Sequence, residues 1–109
     1  QVVEKAHSKG MGILALKAGA RGKVAEGAKK PFEKCWYEPL TDPAEITKSF
    51  HFTLSLPVTA CLPPGEEKLW RMALDAGRRF MPVARQERQD LKTASDAVDP
   101  LFAYPAWQS

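Results

Sequence analysis

The stretch between Lys17 and Lys34 is the part of the chain whose residue types could bind an anion. It carries a net charge of +4, whereas the remainder of the chain is close to neutral. Its basic residues are Lys17, Arg21, Lys23, Lys29, Lys30 and Lys34. Three of the seven glycines also lie there, and glycine lets backbone N–H groups approach an anion closely. The pattern indicates either a phosphate-binding loop or a solvated basic loop.

Cysteine and histidine are too sparse to indicate a metal site or a disulfide framework. Cys35 and Cys61 lie far apart without a Cys-x-x-Cys motif, so we expect both to be reduced thiols. His7 and His51 each stand alone on a predicted helix, with no second ligand at metal-binding spacing. We therefore assign no metal ligand and interpret both histidines as structural or solvent-facing.

Two shorter motifs allow both a functional and a structural interpretation. The Gly65-Glu66-Glu67 helix start could bind an anion through its free amides. Glutamates in a first turn commonly complement the helix dipole, however, which favours simple capping. Cys35-Trp36-Tyr37 could form an aromatic wall of a pocket, or a hydrophobic anchor for the loop that contains it. The sequence does not decide between these two interpretations of the motif.

Two short apolar runs predict strands that are buried on both faces. The runs 11–16 and 58–62 lack alternation and are bounded by glycine or proline, which is typical of a parallel sheet. Between them, Asp42 and Pro43 mark a helix start, with Glu45 placed to complete a capping box. A strand, helix and strand in one sheet form a right-handed parallel unit in nearly all proteins. Two strands cannot complete a sheet, so further elements must cover its edges and faces.

The remaining segments complete the predicted order of helix, strand, loop, helix, strand, helix and helix. No period is found over 17–40, which predicts a long loop without regular structure. The helix closed by Gly77 should bury Leu69, Met72, Ala73 and Ala76. The last helix, from Pro82, should make contact through Leu91, Ala94 and Val98. The other predicted boundaries are a helix ending at Gly10, a helix over 42–56, and a packed tail over 99–109.

Length and composition bound the class of protein. The 109 residues suffice for one domain, and 44% hydrophobic with 27% charged residues is typical of soluble globular proteins. A net charge of +3 is too mild to indicate a nucleic-acid partner. No stretch reaches the roughly 18 to 20 apolar residues that cross a bilayer, so we predict a cytoplasmic protein without membrane contact. Because the chain begins with Gln1 rather than Met, inside a predicted helix, we expect either a trimmed chain or an excerpt.

Four segments resemble the C-terminal third of a bacterial aldo/keto reductase. They read GMGILALK (10–17), ARG (20–22), FTLSLPV (52–58) and LPPG (62–65). The likeness extends over about residues 1–76, and the family fold is a (β/α)8 barrel. The resemblance implies barrel strand seven over 12–16, its helix over 42–56, strand eight over 58–62, and the last barrel helix over 66–77. Since such a barrel needs about 250 residues, the implied fold is a partial α/β barrel with two parallel strands.

The resemblance also implies part of an NADP(H) site. In the family, the loops after strands seven and eight lie near the phosphates of the cofactor. On this chain that implies Lys17, Arg21 and Lys23 as phosphate partners, Gly19 and Gly22 as backbone donors, and Gly65 as the close-approach residue. The catalytic tetrad of Asp, Tyr, Lys and His comes from earlier strands of the barrel. No catalytic residue is therefore assigned, and we expect no carbonyl reduction by this chain alone.

The chain also departs from the family pattern. At the end of strand seven the family often has an aromatic residue that stacks on nicotinamide, and this chain has Leu16. The family commonly continues with Ser-Pro-Leu, and this chain continues with Lys17-Ala18-Gly19. Arg71 and Met72 fall near the position of an adenine-contacting Glu-Asn pair. These differences imply that the usual ring contacts of the cofactor are altered.

Two functions follow as hypotheses. In the first, residues 1–98 form an aldo/keto reductase-like unit, followed by the tail 99–109, and contribute a dinucleotide phosphate site that a missing N-terminal half completes. In the second, the chain is a noncatalytic module whose copies pair open strand edges or swap elements.

Overall fold

A computed structural model of the chain describes residues 2–102. Over that range the fold is a small α/β arrangement of four helices and two two-stranded sheets. None of these helices is both long and apolar enough to cross a membrane. The elements, in chain order, are α1 (Val2–Ser8), β1 (Leu14–Ala15), β2 (Ala20–Lys23), β3 (Tyr37–Pro39), α2 (Pro43–Leu54), β4 (Ala60–Cys61), α3 (Glu67–Arg78) and α4 (Arg85–Asp96).

The two apolar runs form a parallel pair, as predicted. Leu14 lies opposite Ala60, and Ala15 lies opposite Cys61. The Thr59 amide donates to the Ile13 carbonyl at 2.8 Å, and the Ile13 amide donates back to the Thr59 hydroxyl at 2.8 Å. Because the strands are parallel, the segments that follow them leave from the same edge of the sheet.

The prediction that both strands are buried on two faces is wrong: Ala60 and Cys61 of β4 are only partly buried, and β1 is more exposed still. Leu14 is 62% exposed, and Leu16 just after it is 65% exposed. The sheet has two strands in the described part of the chain, and its helical cover comes from α2 packing against β4. The apolar character of β1 is therefore not used to fill a core within residues 2–102.

The segment 17–40 is not devoid of regular structure, which corrects the prediction of a plain loop. β2 and β3 pair antiparallel, with Lys23 opposite Tyr37 and an irregularity between Ala20 and Gly22. The Leu40 amide donates to the Gly19 carbonyl at 2.8 Å and closes this small sheet. Both strands alternate, with Arg21, Lys23 and Glu38 exposed, but they are only four and three residues long and the inward residues of β2 are alanine and glycine, so the periodic signal is too weak to predict the pairing.

Helix α2 begins where the sequence predicts. The Asp42 carboxylate accepts from the Glu45 amide at 3.0 Å, and Pro43 occupies the first turn, where its missing N–H costs nothing. The predicted capping box is not completed, since the Glu45 carboxylate accepts from the Arg21 guanidinium at 2.6 Å. Asp42 thus determines where α2 begins, and Glu45 connects α2 to β2 through its ion pair with Arg21.

The core lies between α2, α3 and the small antiparallel sheet. Helix α3 buries its predicted face through Leu69, Ala73 and Ala76, with Met72 partly buried against them. Small alanines on α3 let it approach α2 closely, in agreement with the extensive contact between the two helices. The core is formed by the buried hydrophobic side chains of Cys35, Tyr37, Ile46, Phe50, Leu69, Ala73 and Ala76, and Pro39 and Pro64 are buried as well.

The final helix and the residues after it agree only partly with expectation. α4 begins at Arg85 rather than Pro82, and of its predicted contact residues Leu91 is half-buried whereas Ala94 is exposed. The Arg88 guanidinium lies over the Phe52 ring, which holds α4 against α2. Leu101 packs against the core, as predicted for the tail, whereas Phe102 is 69% exposed, and Tyr104 and Trp107 lie outside the described residues.

Candidate functional site

The candidate site lies at the carboxyl end of the parallel pair. Lys17 follows β1 by two residues, and Gly65 follows β4 by four. The Leu62 amide donates to the Ala15 carbonyl at 2.9 Å, so the two exits remain side by side. Ligands of parallel α/β folds bind at this edge, because the loops that leave it converge there.

Lys17 has an unusual backbone. Its φ of +66° makes it the one non-glycine residue of 2–102 in the left-handed region. For a residue with a Cβ this conformation costs about 1–2 kcal/mol relative to the right-handed form. Such conformations concentrate at functional sites, where the surrounding structure holds them in place.

Two aromatic rings hold the Lys17 side chain. Its ammonium nitrogen lies 4.6 Å from the centroid of the Tyr37 ring and 5.3 Å from that of Trp36. Burial raises the pKa of the Tyr37 hydroxyl above its ordinary value, with a further contribution from the adjacent Cys35 thiol. The phenol is therefore neutral at physiological pH, and the attraction is between a cation and the faces of neutral rings. This arrangement leaves the ammonium without a carboxylate partner among the described residues.

Arg21 is differently placed. Its guanidinium contacts Glu45 at 2.6 Å and Glu38 at 3.9 Å, and all three side chains are about half exposed. Two carboxylates thus balance the charge of this predicted phosphate partner. A phosphate that bound Arg21 would have to compete with them, which makes Lys17 the stronger anion partner of the two.

The predicted glycines make close packing contacts. A Cβ on Gly19 would lie 3.2 Å from the Pro64 ring and 3.3 Å from the Phe50 ring, and a Cβ on Gly22 would lie 3.0 Å from a Val98 methyl. Gly19 therefore joins the segment after β1 to the segment after β4. In this structure both glycines serve close approach to side chains, and a role as amide donors stays a prediction.

The two remaining predicted residues, Lys23 and Gly65, are both exposed to solvent. Lys23 is exposed and lies opposite Tyr37 in the antiparallel pair, so Lys17 and Lys23 both neighbour Tyr37. Gly65 is exposed, and a Cβ there would meet nothing within 4 Å. The structure thus places Lys17 and Lys23 next to Tyr37 and Gly19 next to Pro64, whereas Arg21 is engaged by carboxylates.

The structure supports the anchor interpretation of the aromatic motif in the loop, whereas its role as a pocket wall stays a prediction. Cys35 and Tyr37 are buried and anchor the loop, whereas the Trp36 side chain between them is 51% exposed. Phe102, which sequence reasoning did not connect with this region, lies with its ring centroid 5.9 Å from that of Trp36. No periodic or motif signal links residues 66 positions apart, so only the fold reveals the pair.

The remaining chemistry-bearing residues have structural environments. His51 Nε2 lies 2.7 Å from the Ala76 carbonyl and joins α2 to the end of α3, whereas His7 is exposed on α1. Cys35 and Cys61 are free thiols, as predicted, and burial raises the pKa of Cys61. Within residues 2–102 no three His, Cys, Asp or Glu side chains are grouped so that they could hold a metal ion.

An open apolar groove of about 480 Å³ lies between α2, β4 and α3, lined among others by Leu54, Cys61 and Leu74. Arg78 is the charged side chain at its edge. The groove is separate from Lys17 and has no cluster of polar groups that would orient a substrate. The cationic edge of the parallel pair is therefore the better candidate.

Comparison with known proteins identifies no relative: no family model, no curated protein and no solved structure matches this chain. The function must therefore be argued from the geometry and the residues.

Proposed function

We propose that the chain binds the phosphates of a nicotinamide dinucleotide, NADP(H), at the carboxyl end of β1. In this proposal it is the C-terminal segment of an aldo/keto reductase-like oxidoreductase with a partial (β/α)8 barrel, and it lacks the catalytic tetrad. The observation that carries the proposal is the position of Lys17. Its ammonium is held by two rings, on a left-handed backbone, at the sheet edge where such folds bind ligands.

The geometry supports an anion more than any other ligand class. The Lys17 ammonium makes its described contacts with ring faces, so its N–H groups keep capacity for phosphate oxygens. Lys23 is a second exposed cation and lies opposite Tyr37 in the small sheet. A lysine acts on phosphate as a point charge, which suits a diphosphate whose oxygens can rotate.

Replacing Lys17 by glycine is expected to weaken binding of inorganic pyrophosphate and of NADPH about tenfold, because one charge-assisted contact is lost. Stability should change by less than about 1 kcal/mol, since relief of the left-handed strain offsets the greater freedom of glycine in the unfolded chain. Isothermal titration calorimetry on the 109-residue chain measures the first effect, and urea unfolding measures the second.

Lys29→Gly is the matched control, since it removes the same charge from an exposed position of the same segment. We expect this variant to bind both ligands as the parent chain does. Equal loss of affinity in the two variants would show that only the general charge of the loop matters. Unchanged binding in Lys17→Gly would remove the proposed site.

A second function has an observation of its own in its favour, namely the exposed apolar side chains along β1. Met11, Leu14 and Leu16 are each more than half exposed, and β1 pairs on one side only in the described part of the fold. Open strand edges with apolar neighbours are templates for pairing with another chain. Self-association of copies would cover this surface without any cofactor.

Light scattering with Leu14→Lys tests this alternative. If copies pair through β1, the parent chain should show a multiple of the 12.1 kDa monomer mass, and the variant should be monomeric because a buried lysine would oppose pairing. Met81→Lys, another exposed apolar residue, located after α3, is the control and should keep the mass of the parent. A parent chain that is monomeric throughout the micromolar range would exclude the module.

A further inference from the structure

We propose that Trp36, Phe102 and Lys17 form a stacking site for a nucleotide, in which the base or nicotinamide ring lies against Trp36 and its phosphate contacts Lys17. The proposal deepens the proposed function and rests on it for the nature of the ligand. It assigns a ring-binding role to Trp36 and to the residues after α4, which neither the charge pattern nor the parallel sheet requires.

The first argument is the exposure of two neighbouring rings. Trp36 is 51% exposed and Phe102 is 69% exposed, while the ring centroids lie 5.9 Å apart with an interplanar angle of 60°. Single exposed apolar residues are ordinary, but a contiguous aromatic pair beside a cation is typical of a recognition surface. Aromatic rings stack on every nucleobase because every base has a π-face.

The second argument is that Trp36 is held in place before any ligand arrives. Both of its neighbours in sequence, Cys35 and Tyr37, are buried, so the backbone at position 36 is fixed. The Tyr37 ring meets the indole edge to face, with centroids 5.5 Å apart and an interplanar angle of 85°. A side chain that is already oriented loses little conformational entropy on binding, which favours affinity.

The third argument is the distance between ring and charge. The Lys17 ammonium lies 5.3 Å from the Trp36 centroid, so a ring stacked on the exposed part of the indole places its ribose phosphate within reach of the cation. A ligand with both parts can use both contacts, whereas pyrophosphate can use only the charge. Ring and phosphate together therefore define the ligand class as a nucleotide.

The fourth argument concerns how Phe102 reaches this position. Val98 contacts the strand β2 at Gly22, and Leu101 packs against the core. These two contacts lead the segment 97–102 back across the small antiparallel sheet toward Trp36. The stacking site is thus composed of two segments that are distant in sequence.

The test compares Trp36→Leu with the parent chain by titration calorimetry against three probes: inorganic pyrophosphate, AMP and nicotinamide mononucleotide. We expect Trp36→Leu to bind one or both mononucleotides about tenfold more weakly, since a base stacked on an aromatic side chain contributes on that scale. Pyrophosphate affinity should stay within about twofold of the parent, because Tyr37 still holds Lys17. Trp70→Leu, a similarly exposed tryptophan on α3, is the control and should match the parent with all three probes.

The outcomes separate this inference from the proposed function. If the chain binds pyrophosphate and Trp36→Leu leaves the mononucleotide affinities unchanged, the stacking site is overturned and the phosphate site is retained. Absence of pyrophosphate binding, with mononucleotide binding that depends on Trp36, would overturn the phosphate site and support stacking. If Trp36→Leu does not fold, Trp36→Phe replaces it. This variant should lose the mononucleotide-induced quenching of tryptophan fluorescence, and retained quenching would contradict the proposal.

Discussion

Replacing Phe50 by alanine is expected to lower the free energy of unfolding by about 3–5 kcal/mol. Phe50 is 3% exposed on α2, where it packs in the core that α2 shares with α3. Truncation removes apolar contacts and leaves a cavity that the surrounding side chains fill only partly. Because small domains have total stabilities of only about 5–15 kcal/mol, a large part of the molecules should unfold near 37 °C. Urea unfolding followed by circular dichroism measures the loss.

Phe102→Ala provides the control for Phe50→Ala. It deletes the same atoms from a ring that is 69% exposed, so the expected cost is below about 0.5 kcal/mol. If the two substitutions cost the same, Phe50 does not occupy a dry core and the packing of α2 against α3 is wrong.

Gly19→Val is expected to lower the free energy of unfolding by about 1–3 kcal/mol, because the added side-chain atoms must enter a space that is already filled. The Cβ alone would approach the Pro64 and Phe50 rings at 3.2 and 3.3 Å, and both residues are buried. Valine adds two methyl groups to that Cβ and cannot relieve the contacts by rotation of χ1 alone. Thermal unfolding of the variant should show a clearly lower Tm than that of the parent chain.

Gly65→Ala is the matched comparison for Gly19→Val. A Cβ at Gly65 has open space within 4 Å and no left-handed backbone to strain. Its stability should therefore equal or slightly exceed that of the parent, because alanine restricts the unfolded chain. A Gly19→Val variant as stable as Gly65→Ala would show that the segments after β1 and β4 do not meet at Pro64.

Local signals predicted the helices well. Asp42 and Pro43 define the start of α2 through a cap and a residue that needs no donor, and the structure shows that cap. The inward face of α3 followed from the spacing of Leu69, Ala73 and Ala76. These features depend on residues within one turn of each other, which is why they can be found without the fold.

The small antiparallel sheet was not predictable by the same means. Ala20-Arg21-Gly22-Lys23 has no branched apolar residues and alternates only between small and charged ones, and β3 ends in Pro39. These strands form because the buried side chains of Cys35 and Tyr37 anchor the returning chain, a tertiary effect. The predicted contact face of helix α4 was only partly correct, since Leu91 is half-buried whereas Ala94 is exposed.

The sequence could predict where the candidate site lies but not which side chains contact each other there. The basic residues and glycines after an apolar strand predicted where an anion would bind, and the parallel register places that segment at the expected edge. The engagement of Arg21 by Glu38 and Glu45, and of Lys17 by Tyr37, arises between residues 17 to 24 positions apart. Such pairings depend on how the loop folds back, which no local pattern encodes.

The backbone conformation and the side chain at position 17 favour different residue types. The backbone conformation at Lys17 is one that glycine adopts without penalty, whereas the ammonium group is available only from lysine. A screen that selects for thermal resistance should therefore tolerate glycine there, and a screen that selects for ligand capture should reject it. Under the proposed function, conformational ease and ligand recognition make opposite demands on this one residue, so a single substitution separates them.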